Sequence, residues 1–172
     1  MEPLTGPRVI VRPVSEGDER EFLSAARASE KFHYPYAFLP VTEEEFATYL
    51  ERFDQSQAHG FVLRLLGSGE LVGYVNISQI VRGSYQRGVL GYGIFLPHHR
   101  RGYMTEGLGL VTRHAFEGLG LHRLEAEIQP GNKPSLRLVE LLGFEREGLA
   151  RGLIKIEGQW HDHERWSLRG DV

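Results

Sequence analysis

Leu90–Gly107 reads LGYGIFLPHHRRGYMTEG, and this stretch decides the fold. An apolar strand ends at Leu96-Pro97. A basic turn follows, His98-His99-Arg100-Arg101-Gly102, and a helix begins near Tyr103 or Met104. A strand, a basic glycine turn and a helix make a natural cradle for a polyphosphate, because the first turn of a helix presents unpaired N–H groups and partial positive charge. Gly102 lets the backbone approach an anion, and Arg100 and Arg101 offer charge-assisted hydrogen bonds. The same residues also read as a solvated, arginine-rich corner capping a structural helix. Other nucleotide loops are excluded: G-x-x-x-x-G-K-[ST] is absent, and Gly88, Gly91 and Gly93 miss the G-x-G-x-x-G spacing.

Working outward, Val9–Val11 reads as a short strand closed by Pro13. Ser15 caps a helix over Glu16–Ala28 that shares Phe22, Ala25 and Ala26 on one face. Lys31–Pro40 is aromatic with two prolines, which predicts a loop. Thr42 and Glu45 form a capping box ahead of a stripe of Phe46, Tyr49, Leu50 and Phe53. The period then changes, and Phe61–Leu66, Leu71–Ile80 and Gln86–Leu96 read as antiparallel strands joined at Gly67-Ser68-Gly69 and Gly83-Ser84. Thr105–Leu119 is helical, Arg123–Ile128 a strand and Pro134–Leu142 a short helix stopped by Gly143. Strands over Gly148–Ile156 and Gln159–Leu168 turn at Glu157-Gly158. Strand–helix alternation appears only in the second half. The order predicts an α/β (α+β) fold: a mixed, mostly antiparallel sheet of about seven strands with helices on both faces.

The 172 residues fit one domain over 1–172 and include no cysteine, which excludes disulfides, thiolate metal sites and a cysteine nucleophile. With 20 Lys+Arg against 23 Asp+Glu the net charge is −3, which weighs against a nucleic-acid partner. The longest run free of Asp, Glu, Lys and Arg is the 12 residues Gly88–His99, short of the ~20 that cross a bilayer. The start, MEPLTGPRVIVRP, lacks the pattern of a signal peptide, so a cytosolic protein is the expectation. His161 and His163 share a strand face, but with Asp162 as their one near companion they predict no metal site.

Taken with its continuation HRLEAEIQPGNKPSLRLVELLGF, the opening segment resembles the GNAT acetyltransferase superfamily. Its Q/R-x-x-G-x-G/A loop falls on His99, Arg100, Arg101, Gly102, Tyr103 and Met104, with His99 and Met104 departing from the pattern. Asn132, Ser135, Leu142, Gly143 and Phe144 match N-x-x-S…L-G-F. The start RVIVRPVSEGD and the tail EREGLARGLIKIEGQWHDH are similar to the ribosomal-protein alanine N-acetyltransferase (Rim-type) branch.

The resemblance implies acetyl-CoA as cosubstrate and central strands splayed apart to receive its pantetheine arm. Phe95 and Leu96 would contact the arm through their backbone, and His99–Met104 with Thr105 would hold the pyrophosphate. Asn132 would contact the arm and cap a helix. Ser135 would serve the departing thiolate, because the position often occupied by tyrosine is Val139. Glu127, sharing a face with Glu125, would be the general base, since the glutamate of the final hairpin has no counterpart at Ile154. Both glutamates also read as surface residues of a half-exposed strand.

Tyr34 and Tyr36, with Tyr85 and Arg87 opposite, would wall the acceptor site. The implied reaction is acetyl transfer to a primary amine by direct attack, with no metal. The expected acceptor is a protein N-terminal α-amine, whose pKa of about 8 leaves an appreciable neutral fraction without a strong base. A small-molecule amine, or a non-catalytic acyl-CoA-binding module, are the alternatives. Neither nucleic acid nor membrane is an expected partner, and a monomer and a homodimer fit equally.

Overall fold

The computed structural model describes residues 1–170, arranged around one eight-stranded sheet. The strands are β1 (Leu4–Thr5), β2 (Val9–Pro13), β3 (His59–Leu65), β4 (Leu71–Val81), β5 (Arg87–Ile94), β6 (Arg123–Ile128), β7 (Glu145–Ile156) and β8 (Gln159–Arg169). Their spatial order is β1-β2-β3-β4-β5-β6-β8-β7, antiparallel throughout except for the parallel pair β5·β6. Seven strands fall where the sequence places them. The eighth, β1, is two residues long, too short to show alternation. It folds back on β2 through a turn in which Gly6 N–H donates to Val9 C=O.

Four helices cover the two faces: α1 (Glu19–His33), α2 (Glu43–Glu51), α3 (Tyr103–Glu117) and α4 (Lys133–Leu141). Buried Leu108, Val111 and Ala115 of α3 and Val139 of α4 pack on Val75, Ile77, Leu124 and Ala126 of the sheet. On the other face Phe22 and Ala26 of α1 and Phe46 and Tyr49 of α2 pack on Val62, Leu71, Tyr74 and Phe95. The predicted capping box of α2 is present, with Thr42 Oγ1 accepting from Glu45 N–H at 3.2 Å.

The first helix differs from its predicted span of Glu16–Ala28. A 3-10 turn, Glu16–Asp18, precedes α1, and the α-helix runs on to His33, taking in the start of the expected loop. The cause at the front is Asp18. Its fully buried carboxylate accepts from Arg12 at 2.5 and 2.8 Å, from Arg64 at 2.7 Å and from Ser15 N–H at 2.9 Å. Burial alone would raise this carboxyl, but the bonds from Arg12 and Arg64 outweigh it and hold its pKa at about 2. At the far end helical spacing persists until Tyr34, where the following Pro35 disfavours a helical residue.

Candidate active site

The parallel pair β5·β6 is registered only from Arg87↔Arg123 to Leu90↔Ala126. Beyond it Gly91–Ile94 continue along β4, and Glu127 and Ile128 stay paired with β8. The sheet therefore opens in its middle. Phe95 N–H donates to Val72 C=O at 2.8 Å, and antiparallel residues alternate in the direction of their bonds. Gly93 and Gly91 thus bond toward β4, while the N–H and C=O groups of Tyr92 and Ile94 face the gap. One of these is engaged: Ile94 C=O accepts from His33 Nε2 at 2.7 Å. Burial lowers the His33 pKa, keeping the ring a neutral donor, although the bond to Ile94 works the other way.

Two cavities flank the gap. The larger, about 740 Å³, is bordered by Tyr92, Gly93 and Ile94 of β5, the turn at His98 and Arg100–Thr105, and Asn132–Ser135 of α4. The smaller, about 150 Å³, is bordered by Gly91 and Tyr92 on one side and Glu127, Gln129 and His163 on the other. Tyr36, Ala37, Tyr92, Asn132 and Ser135 border both, so the two spaces meet through the gap.

The turn between β5 and α3 gathers positive charge and a helix N-terminus at the cavity wall. Gly102 adopts φ +79°, which glycine takes without strain, and stands at the N-terminus of α3. Arg100 and Arg101 are exposed and without intramolecular ion-pair partners among the described residues. The helix itself is tied to the start of the chain. Glu106 accepts from the N–H groups of Arg8 and Val9 and from Arg8 Nε, at 2.7–2.9 Å. Glu106 is thus a staple between α3 and the start of β2.

Of the residues expected to bind the cosubstrate, Arg100, Arg101, Gly102, Tyr103, Met104, Thr105 and Asn132 border the larger cavity. His99 does not: its ring packs on Phe32 at 5.3 Å, and the neighbouring His98 takes the place on the wall. Phe95 and Leu96 also stand outside. The N–H of Phe95 goes to Val72 and its ring to Phe22 at 5.4 Å, while Leu96 N–H donates to Ser29 Oγ at 3.0 Å. The residues whose backbone faces the gap are Tyr92 and Ile94. Asn132 Oδ1 accepts from Ser135 N–H, capping α4.

Ser135 stands at the junction of the cavities with its Oγ 2.7 Å from the Tyr92 hydroxyl. Sequence spacing leaves α4 without a tyrosine at Val139, and β5 supplies one from across the gap. Burial pushes the Tyr92 hydroxyl up to about 12, against the opposing effect of Ser135, so it stays protonated at neutral pH. Alternation along β5 was the available signal for Tyr92.

Among the expected acceptor residues the structure gathers Tyr36 and Glu127 at the smaller cavity and leaves three outside. Tyr34 is exposed, its hydroxyl 3.5 Å from Glu157 at the β7–β8 turn. Arg87 lies at the far end of β5, where the strands are still paired, and Tyr85 in the turn just before it. Arg87 donates to buried Glu125 at 2.7 Å, and its guanidinium lies 5.7 Å from the Tyr85 ring. Burial would raise the Glu125 carboxyl, but Arg123, Arg87 and Arg165 hold it below its ordinary range. Arg87 therefore belongs to an ion network.

A splayed parallel pair with an arginine–glycine turn at the following helix is the arrangement that the resemblance to the GNAT superfamily implies. The chain belongs to the acetyltransferase (GNAT) domain family, whose sequence model matches residues 8–145. It is an N-acetyltransferase: the probable N-acetyltransferase YjcK of Bacillus subtilis is 32% identical over 169 residues, covering 94% of this chain and 93% of the relative. The ribosomal protein uS5-alanine N-acetyltransferase of Escherichia coli is 33% identical over 170 residues, covering 93% and 87%. Among solved structures, Mycobacterium smegmatis RimJ in complex with CoA-disulfide superposes with a TM-score of 0.87 at 23% identity, covering 99% of this chain and 91% of that one, a likeness of fold.

Proposed function

We propose that the chain transfers the acetyl group of acetyl-CoA to the α-amine of a protein N-terminus. One observation carries this: the two cavities meet at Ser135 through a gap in the sheet, with a basic turn on one side and a carboxylate, Glu127, on the other. The larger cavity has the parts that a pyrophosphate and a diamide arm require. Arg100, Arg101 and the first turn of α3 face the phosphates, and the backbone groups of Tyr92 with the N–H of Ile94 offer the amides a strand edge. A gap-facing N–H is placed to polarise the thioester carbonyl. The Ser135 hydroxyl, bonded to Tyr92, protonates the departing sulfur. On the acceptor side Glu127, which has no hydrogen-bond partner among the described residues, draws the ammonium into place, and Tyr36 forms the wall.

The Escherichia coli relative is named for an alanine of a ribosomal protein, which supports a protein acceptor for this chain. No helix among the described residues is long and apolar enough to cross a membrane, and we place the reaction in the cytosol, with its protein acceptors. The test is a thiol-release assay over short peptides and small amines. Turnover with free N-termini, lost when the α-amine is blocked, is the expected result. Efficient acetylation of an internal lysine, or turnover confined to small amines, would overturn the acceptor. No thermal stabilisation by millimolar acetyl-CoA would overturn the cosubstrate.

A further inference from the structure

Glu127 shares the smaller cavity with His163 of β8, a residue only 4% exposed. The His163 Nδ1 lies 3.0 Å from the backbone oxygen of His161. A carbonyl oxygen has no proton to give, so Nδ1 carries the hydrogen, and the lone pair of the neutral ring is on Nε2. Nε2 has no hydrogen-bond partner among the described residues, yet it is not sealed from solvent. The ring is thus held in one tautomer by its own strand, with its basic nitrogen free, beside a cavity that meets the thioester side at Ser135.

We propose that His163 Nε2 is the general base that takes the proton from the acceptor amine; the inference rests on the acetyl-transfer reading of the same cavities. The acceptor arrives as an ammonium. One N–H bond breaks and its proton passes to Nε2, giving an imidazolium and a neutral amine. The amine lone pair forms the C–N bond to the thioester carbonyl carbon. The C–S bond breaks with its electron pair on sulfur, which takes the Ser135 hydroxyl proton as that hydroxyl receives the second proton of the nitrogen. The products are the amide, the free thiol and an imidazolium that returns its proton to water.

A general base works best with a pKa near the operating pH, which suits an imidazole better than a carboxylate. Glu127 is left to hold the cation. The other titratable groups at this cavity are Tyr36 from the loop after α1, Tyr74 from β4 and Tyr92 from β5. Burial raises both Tyr74 and Tyr92, so neither titrates near neutrality. Across β7 the residue paired with His163 is Ala150, which does not titrate, and on β8 the charged neighbour on the same face is Arg165, paired across to Glu127 and donating to Glu125 at 3.3 Å.

The experiment is His163→Asn, whose amide N–H can still donate to the His161 carbonyl but offers no base. For an α-amine peptide at pH 7, kcat/KM should fall about a hundredfold, within the usual range for losing a general base. The variant's rate should then rise about tenfold per pH unit, following the free amine until the acceptor is largely neutral, while wild type shows an earlier plateau. Acetyl-CoA affinity by calorimetry should be unchanged. A variant within twofold of wild type across the profile would overturn the assignment. Should the substitution prevent folding, nitrogen NMR of wild type decides: hydrogen on Nδ1 of the neutral ring supports the base, and hydrogen on Nε2 overturns it. An active wild type with an unaffected variant sinks His163 alone. A wild type that neither binds acetyl-CoA nor releases thiol sinks the acetyl-transfer reading, and the base with it.

Discussion

The two sides of the gap are built differently. The anion-facing side has its basic turn, strand end and helix start in one stretch, from Tyr92 to Thr105, closed over by Phe32 and His33 of α1 and by α4 with its cap Asn132. The acceptor side is gathered from Tyr36, Glu127 and His163, which lie on a loop and on two strands far apart in the chain. A pyrophosphate is the same in every acetyl-CoA, so a local device suffices to hold it. An acceptor amine differs between enzymes, and a wall assembled from separate elements can change one residue at a time. The first side is fixed by backbone, the second by side chains.

The sharpest way to break this contrast is to disturb scaffold instead of site. Asp18 anchors the start of α1, the helix that leads into the Tyr36 loop. Asp18→Asn leaves two arginines near a buried neutral group and should cost about 3 kcal/mol of stability, read by denaturant unfolding. The folded carboxyl sits at about 2, below its ordinary 3.8. The stability it contributes is therefore full above pH ~4 and is lost as pH falls toward 2, and the gap between variant and wild type should close over that window. A constant difference from pH 7 to pH 2 would show that the loss is one of packing alone.

Next in size is the anion side. Arg100→Ala with Arg101→Ala should weaken acetyl-CoA binding about a hundredfold, at roughly 1.5 kcal/mol for each charge-assisted bond. The loss should shrink at high salt, because both groups are exposed, and the acceptor KM should stay put. A matched rise in acceptor KM would mean the two sides are not separable.

Smaller again is the junction. Ser135→Ala should lower kcat about tenfold while acetyl-CoA affinity holds, since on the proposed reading its hydroxyl acts on a charge that forms late. Tyr92→Phe, which removes one partner of a neutral hydrogen bond, should lower kcat about fivefold, equivalent to roughly 1 kcal/mol. Equal turnover in both variants would reduce the pair to helix packing.

The smallest effect belongs to Glu127→Gln. An ion pair formed at a partly open site contributes up to about 1 kcal/mol, so the KM of a cationic acceptor should rise about threefold with kcat little changed. A collapse of kcat at neutral pH that recovers as the amine deprotonates would instead give Glu127 the proton-accepting role argued for His163.

The contrast also governs what could be read before any coordinates. The turn, its glycine, the α2 capping box, the α4 stop at Gly143 and seven strands are local signals, and all lie within a few residues of their places. Phe95 and Leu96 fell short by one or two residues along a strand, where each step reverses the direction of the N–H. Arg87 shares β5 with the site, and Tyr85 just precedes it, at the end where the sheet is closed. Nothing in a linear pattern says where a parallel pair will part. The Tyr92–Ser135 bond joins residues 43 apart. The spacing of His161 and His163 speaks only to a metal, whereas the ring nitrogen bonded to its own strand is visible in three dimensions alone.

The seam between β5 and β6 has a consequence for how long the protein lasts. Only four residue pairs stitch the two halves of the sheet together at their centre. A bound pantetheine arm would supply the missing rungs, so on the proposed reading the cosubstrate completes the sheet as well as feeding the reaction. Stability then tracks ligand supply, gaining about 2.7 kcal/mol at a hundredfold excess over the dissociation constant. Proteolysis of a transiently opened sheet follows the open population. A cell running short of coenzyme A, free or acetylated, would thus lose the enzyme as well as its substrate.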